Sequence, residues 1–108
     1  MVSFKEFSEI ELRVGVITDV EELEGARKPI YKLKVDLGPL GSRMIAAGIK
    51  EDYSREELVG KSIIVVANLD PKPISGMVSE GMLLAGEDER TVSIITTDRR
   101  LDAGSIIR

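Results

Sequence analysis

The sequence predicts an all-β protein, a five-stranded Greek-key barrel with short helices and extension strands near the C-terminus. Apolar and polar residues alternate over residues 31–37, which is the period of a half-buried β-strand. An uninterrupted apolar run at Ile63–Val66 is typical of a central strand that is buried on both faces. Glycines and prolines separate these short runs, as turns do between strands. We therefore expect one domain over residues 1–108.

The first segment predicts a short helix. Ser3 is a suitable N-cap, and Glu6 lies where a capping box requires it. Phe4 and Phe7, the only phenylalanines, then share one side of the helix at an i, i+3 spacing. We expect this side to dock either on the body of the protein or on a second subunit.

The first strand is predicted from alternation. Ile10, Leu12, Val14 and Val16 are separated by polar residues and by Gly15, so we expect these four side chains to form one apolar face. A glycine in mid-strand indicates a bend or a close approach of another chain segment. Gly15 is therefore expected to lie at a corner of the barrel.

The remaining elements complete the order of an OB-fold. The second strand, over residues 31–37, has an inward face that begins at Tyr31, and the third covers Arg43–Ile49. A capping box at Ser54 opens a helix that Gly60 ends, and strands at 61–69 and 82–85 follow. Three strands, a helix and two strands is the order of that barrel.

Two further strands are predicted beyond the barrel. The β-branched segment 91–96 is expected to pair with 105–107. Because unpaired strand edges need to be covered, these strands are candidates for a dimer interface.

The stretch Asn68–Ala85 is predicted to contain a long loop with prolines, glycines and serines. Loops of this length are often functional, and glycine lets a ligand approach the backbone closely. One interpretation is a lid over the open end of the barrel. The other is one part of a ligand-binding site.

Composition disfavours catalysis. The chain has no cysteine and no histidine, so it lacks a thiol nucleophile, the usual general base and the common ligands of transition metals. The carboxylates near the expected groove, Asp36, Asp70 and Glu80, are not spaced as an acid–base pair. We expect a binding protein that is not an enzyme, with no metal and no cofactor.

Charge is unevenly distributed along the chain, although the net charge is only −4. Residues 1–26 have two positive and seven negative side chains, whereas residues 27–50 have six positive side chains and a single acid, Asp36. A mixed, solvated surface is one interpretation. The other is a basic face that binds a polyanion at one place.

Four segments together resemble the tRNA-binding OB domain family, which includes the C-terminal domain of many methionyl-tRNA synthetases and stand-alone structure-specific tRNA-binding proteins. The segments are Glu11–Val16, Tyr31–Gly38, Tyr53–Lys61 and Val65–Ala85. The segment 26–33 is closer to the sister branch of CsaA-type secretion chaperones. Ser79-Glu-Gly-Met-Leu-Leu is similar to the tRNA-binding branch.

The resemblance implies recognition of folded tRNA through its shape and backbone. The four aromatic residues agree with this, because they are too few for a multi-base stacking platform. The implied phosphate contacts are basic: Lys32, Lys34, Arg43, Arg27, Lys28 and Lys72. Ser79 and the amides around Gly81 are expected to add hydrogen bonds, and Met82 to pack either on a base or in the core.

The absence of cysteine fits a cytoplasmic protein, and no apolar run is long enough to cross a membrane. We expect a homodimer, and the resemblance suggests that it serves methionyl-tRNA synthetase in trans, as an accessory β subunit does. Two alternatives remain from the class of protein-binding modules. The first is a CsaA-like chaperone that binds an extended peptide in the same groove. The second is a scaffold that tethers a synthetase.

Overall fold

Five strands form a nearly closed barrel in this computed structural model, which describes residues 1–23, 25 and 27–108. Their order in the sheet is β3-β2-β1-β4-β7, and β7 lies beside β3. This confirms the predicted OB-fold order. The bounds are β1 Leu12–Glu22, β2 Tyr31–Asp36, β3 Ser42–Ala47, β4 Ser62–Val66, β5 Lys72–Ile74, β6 Met77–Ser79, β7 Met82–Leu83, β8 Ala85–Glu87, β9 Val92–Ile94 and β10 Ile106–Ile107.

Two short helices begin at the predicted N-caps; the first has both bonds of the predicted capping box, whereas the second has only the bond that the Ser54 hydroxyl accepts from the Glu57 amide. Helix α1, Phe4–Ser8, begins after Ser3, whose hydroxyl accepts a bond from the Glu6 amide while the Glu6 carboxylate accepts one from the Ser3 amide. Helix α2, Arg55–Leu58, follows Ser54 and buries Leu58 completely. A short 3-10 helix at Gly38–Leu40 joins β2 to β3.

The core confirms the predicted face of β2 and corrects that of β1. Tyr31 and the alternate residues after it are buried in the barrel. In β1, however, the core face contains Gly15 and Ile17, and Ile10 lies outside the strand and is about half exposed. Val14 is buried on the opposite face, where its amide donates to the Ser105 carbonyl. The expected close approach at Gly15 is confirmed, because a Cβ there would lie 2.5 Å from Val35 Cγ1.

The C-terminal strands pair differently from the prediction. Strand β9 pairs with β8 rather than with residues 105–107, and β10 pairs with β1 at Leu12 and Arg13. The Asp88 carboxylate accepts bonds from the amides of Arg90 and Thr91 in the turn between β8 and β9, and these bonds lower its pKa. The C-terminal extension therefore adds β10 to the edge of β1 and forms a separate hairpin from β8 and β9.

Asp36, at the end of β2, accepts a bond from the Gly38 amide at 2.8 Å and so holds the turn that follows. Glu24 and Ala26, which belong to the acidic N-terminal segment and to the segment 26–33, lie outside the described residues. Among the described residues, no helix has the length and apolar character needed to cross a membrane.

Replacing Gly38 by alanine is expected to destabilise the protein by about 3 kcal/mol, because left-handed strain adds to a backbone clash. Gly38 has φ +60°, and a Cβ would lie 2.2 Å from the Ala103 carbonyl oxygen. Gly60→Ala is the matched control, since φ is +91° there and nothing lies within 4 Å of a Cβ. Urea unfolding measures both, and equal losses would contradict the role given to the clash.

Candidate functional site

The predicted long loop is instead a β-hairpin. Strands β5 and β6 pair from Lys72 opposite Ser79 to Ile74 opposite Met77. Ser75 and Gly76 form the turn with φ values of 48° and 84°. Two successive positive φ values are typical of the tight turn that suits a two-residue hairpin. The chain therefore presents a defined projection here, which we call the hairpin.

Strand β3 holds the hairpin in place. The Ser79 hydroxyl accepts a bond from the Ala46 amide and donates one to the Gly81 carbonyl, both at 3.0 Å. The Glu80 amide donates to the Met44 carbonyl at 2.9 Å, and the Glu80 carboxylate accepts from the Met44 amide at 3.2 Å. Ser79 is only 3% exposed. The Ser79 hydroxyl therefore fastens the hairpin to β3, and its predicted contact with tRNA stays a prediction.

A basic hollow of about 600 Å³ lies on one side of the hairpin. Arg27 and Lys28 line it from the β1–β2 connection, and Lys72 lines it from β5. All three residues are exposed. The described lining contains these three cations and no acidic side chain. We call it the cationic hollow, and it joins three of the predicted phosphate-binding residues.

A second hollow of about 390 Å³ lies on the other side of the hairpin turn. Its lining combines apolar side chains with one cation and one acid: Lys32, Met44, Pro71, Gly76, Met77, Val78 and Glu80. Val78 is 53% exposed, whereas Met77 is buried. We call this the methionine hollow. Lys32 is the one predicted phosphate-binding residue that lines it.

Two other predicted basic residues line neither hollow. Lys34 is exposed on the outer face of β2, with Asp19 and Met44 as its register partners. Arg43 is half-buried at the open end of the barrel, where its guanidinium donates to the Ala67 carbonyl. Arg43 therefore fastens β3 to the end of β4.

The predicted residues after the hairpin are packed against β4. A Cβ at Gly81, where φ is +137°, would lie 3.0 Å from the Val66 carbonyl oxygen. Close packing therefore explains this glycine without a ligand. Met82 pairs with Val66 and is 49% exposed, so it is outside the core.

Basic and acidic segments meet across the β1–β2 ladder. Lys34 lies opposite Asp19, and Lys32 lies opposite Glu21, with Nζ 4.0 Å from its carboxylate. The Nζ atom of Lys50 lies 3.4 Å from the carboxylate of Glu22. The outer face of this ladder is therefore mixed in charge, and the described cations concentrate instead at the cationic hollow.

An exposed apolar cleft lies between α1 and the β1–β10 pair. Its volume is about 830 Å³. Phe4 is 96% exposed, and Phe7, Ile10 and Ile106 are each about half exposed. Asn68 fixes the end of α1, because its side chain accepts from the Glu11 amide and donates to the Glu9 carbonyl. We call this the N-terminal cleft; neither of its phenylalanines is fully buried within the chain, and Phe4 is almost wholly exposed.

Sequence reasoning missed the apolar lining of the methionine hollow. Met44 alternates with the buried Ile45, so strand period alone directs it outward. Val78 and Pro71 gave no comparable signal, because their meaning depends on how the hairpin folds back over β3.

Comparison with known proteins points to one family. Residues 12–106 match the family described as "Putative tRNA binding domain". The methionine–tRNA ligase of Methanococcus vannielii is 43% identical over 99% of this chain, which spans only 16% of that ligase.

Two crystal structures are similar over the whole chain. The chaperone CsaA of Bacillus anthracis has a TM-score of 0.94 at 35% identity, covering 100% of this chain and 99% of its own. A protein related to methionyl-tRNA synthetase from Pyrococcus horikoshii has a TM-score of 0.90 at 34% identity, covering 100% and 98%. With these matches over nearly its full length, the chain belongs to the tRNA-binding domain family.

Proposed function

We propose that residues 1–108 act as one non-catalytic domain that binds folded tRNA through its shape and backbone. The observation that carries the proposal is the cationic hollow, where Arg27 and Lys28 face Lys72 across one depression. Phosphate contacts supply most of the sequence-independent affinity of nucleic-acid complexes. Family membership makes tRNA the polyanion that fits this hollow best.

The hairpin contributes rigidity to the proposed site. Lys72 lies directly opposite Ser79, and Ser79 is bonded to β3. A cation on an anchored strand loses less conformational freedom on binding than one on a mobile loop. Lys32 and Lys34 extend the proposed contact along β2, while Arg43 and Ser79 act as positioning residues.

A role in binding alone agrees with how the nearby carboxylates are used. Asp36 holds the turn after β2, and Glu80 holds the hairpin on β3. Among the described residues, neither carboxylate forms an ion pair or a side-chain hydrogen bond with a second titratable group, as a paired acid and base would. We therefore propose that any catalysis resides in a partner, a methionyl-tRNA synthetase that receives tRNA in trans in the cytoplasm.

The proposed assembly is a homodimer through the N-terminal cleft. Phe4 projects beside a cleft wide enough to receive an aromatic side chain. A two-fold axis would let each copy insert its phenylalanines into the other, which makes the contact self-complementary. Two tRNA-binding surfaces on one particle would then raise affinity through avidity.

Peptide binding by a CsaA-like chaperone is the second candidate. The TM-score of 0.94 over both full chains favours it, as does the methionine hollow, because methionine side chains adapt to varied apolar ligands. In this reading an extended peptide would lie beside the hairpin.

A titration against three ligands discriminates the two candidates. The ligands are folded tRNA, an unstructured RNA of equal length and an unfolded peptide, each at two salt concentrations. We expect folded tRNA to bind best. For about three phosphate contacts, the logarithm of its association constant should fall by roughly three units per tenfold rise in salt.

Binding of the peptide alone, or RNA binding that does not respond to salt, would overturn the proposed function. Adding the protein to a synthetase that lacks such a domain tests the action in trans. There we expect a lower KM for tRNA without a change in kcat.

A further inference from the structure

We infer that the methionine hollow binds the base of one unpaired nucleotide and that Glu80 selects bases bearing an exocyclic amino group. The inference rests on the proposed function and adds a reading of base identity to backbone recognition. Single-stranded nucleotides are the usual targets of base-specific RNA recognition, since their edges are accessible.

The lining suits one planar ring. Met44 and Met77 offer polarisable thioethers, which make favourable contacts with aromatic systems. Pro71 and the half-exposed Val78 add apolar surface on the hairpin side. A cavity of about 390 Å³ lies at the small end of the range for ligand pockets. It therefore fits a single base better than a stacked pair.

Two charged side chains line the hollow: Lys32, which only donates hydrogen bonds, and the carboxylate of Glu80, which accepts them. One carboxylate oxygen of Glu80, Oε1, already accepts a bond from the Met44 amide at 3.2 Å, which fixes the side chain. No described residue donates to Oε2. An ionised carboxylate only accepts hydrogen bonds, so its natural partner is an amino group such as cytosine N4. Uracil has a carbonyl at that position and would face the carboxylate with its own lone pairs.

The two hollows supply complementary parts of a nucleotide site. Gly76 lines the methionine hollow and Ser75, its neighbour in the turn, lines the cationic hollow. In the methionine hollow the charge of Glu80 offsets that of Lys32, whereas the cationic hollow has three cations and no described acid, so phosphate is favoured there. Because the two hollows meet at adjacent turn residues, we place the base in one and a neighbouring phosphate in the other.

The test compares octamers of cytidine and uridine, two pyrimidines of the same size that differ in the group at position 4. Fluorescence anisotropy of the labelled octamers should show about tenfold tighter binding of the cytidine octamer by the native protein. Glu80→Gln should reduce that preference to about one, because an amide can donate to uracil O4 as well as accept from cytosine N4.

The glutamine side chain retains an acceptor for the Met44 amide, so the hairpin should stay in place. Circular dichroism and the midpoint of urea unfolding verify this. Glu56→Gln, an equal change in charge on α2, is the matched control and should keep the tenfold preference. Met44→Ala should weaken both octamers equally.

Equal binding of the two octamers by the native protein would overturn the inference. So would an unchanged preference in Glu80→Gln. If folded tRNA still bound with steep salt dependence in either case, the proposed function would stand. Absence of all RNA binding would instead remove the proposed function itself.

Discussion

The double variant Arg27→Ala/Lys72→Ala is expected to bind folded tRNA about 30-fold more weakly than the native protein. Each cation supplies a charge-assisted hydrogen bond to phosphate, and an exposed contact of this kind contributes about 1 kcal/mol. Their side chains line the cationic hollow from two different chain segments. Loss of both should also reduce the salt slope by about two units.

Filter binding or anisotropy at four salt concentrations measures the affinity and the slope together. Arg90→Ala/Arg99→Ala is the matched control, because it removes the same charge from exposed positions in the C-terminal extension. We expect the control to retain most of the native affinity. Equal losses in both double variants would mean that net charge, rather than the cationic hollow, governs binding.

In the same titration, Lys32→Ala is expected to weaken tRNA binding less than Lys72→Ala. Lys32 lies within reach of Glu21, so part of its charge is already balanced within the protein. Exposed ion pairs are weak, and a phosphate competes readily with the carboxylate. Lys32 therefore supports the contact less strongly than Lys72.

The barrel was predictable because its signals are local. Strand β2 alternates strictly, and the inward residues Tyr31, Leu33 and Val35 are all buried. The cap at Ser54 and the stop at Gly60 fixed α2 in the same way. Each signal depends on neighbours a few residues away, which sequence reasoning can read directly.

The prediction of which face of β1 points into the core was wrong, and the reason is physical. Its core face includes Gly15, which has no side chain and therefore gives no hydrophobic signal of burial. Val14, on the opposite face, is buried as well, and its amide bonds to the Ser105 carbonyl at the edge of the strand. That partner is distant in the sequence, so no local pattern predicts the pairing.

The candidate site was predictable in composition but not in arrangement. The basic segment was visible in the sequence, yet only the register of β1 against β2 brings Lys34 opposite Asp19. The prolines at 71 and 73 favoured a loop. Strand β5 nevertheless forms, because it pairs on one side only and an edge strand tolerates proline. Ser79 was expected to meet a ligand, but its partner Ala46 lies 33 residues away.

Replacing both phenylalanines of α1 by serine, Phe4→Ser/Phe7→Ser, is expected to convert the protein from a dimer to a monomer at micromolar concentration. Neither side chain is buried within one chain, so the monomer should unfold with nearly unchanged free energy. A stable interface buries about 800 Å² per partner, roughly a tenth of the 7459 Å² surface of this chain. Removing two aromatic anchors from the centre of such a patch is the most damaging change available to it.

Light scattering and sedimentation across 1–100 μM measure the assembly state, and a tRNA titration measures its consequence. The loss of bivalent contact should weaken tRNA binding by about 100-fold, although neither phenylalanine lines either hollow beside the hairpin. Leu40→Ser/Val59→Ser is the matched control, because both residues are exposed to a similar extent as Phe7 and lie outside the N-terminal cleft.

A monomeric native protein would contradict the assembly outright, as would a Phe4→Ser/Phe7→Ser variant that remains dimeric. If that variant became monomeric yet kept full affinity for tRNA, a single cationic hollow would suffice for binding. The expected result is a monomer that binds tRNA weakly with an unchanged salt slope per site. It would show that the residues beside the hairpin make the contacts with tRNA, whereas the N-terminal cleft sets how many such surfaces one particle has.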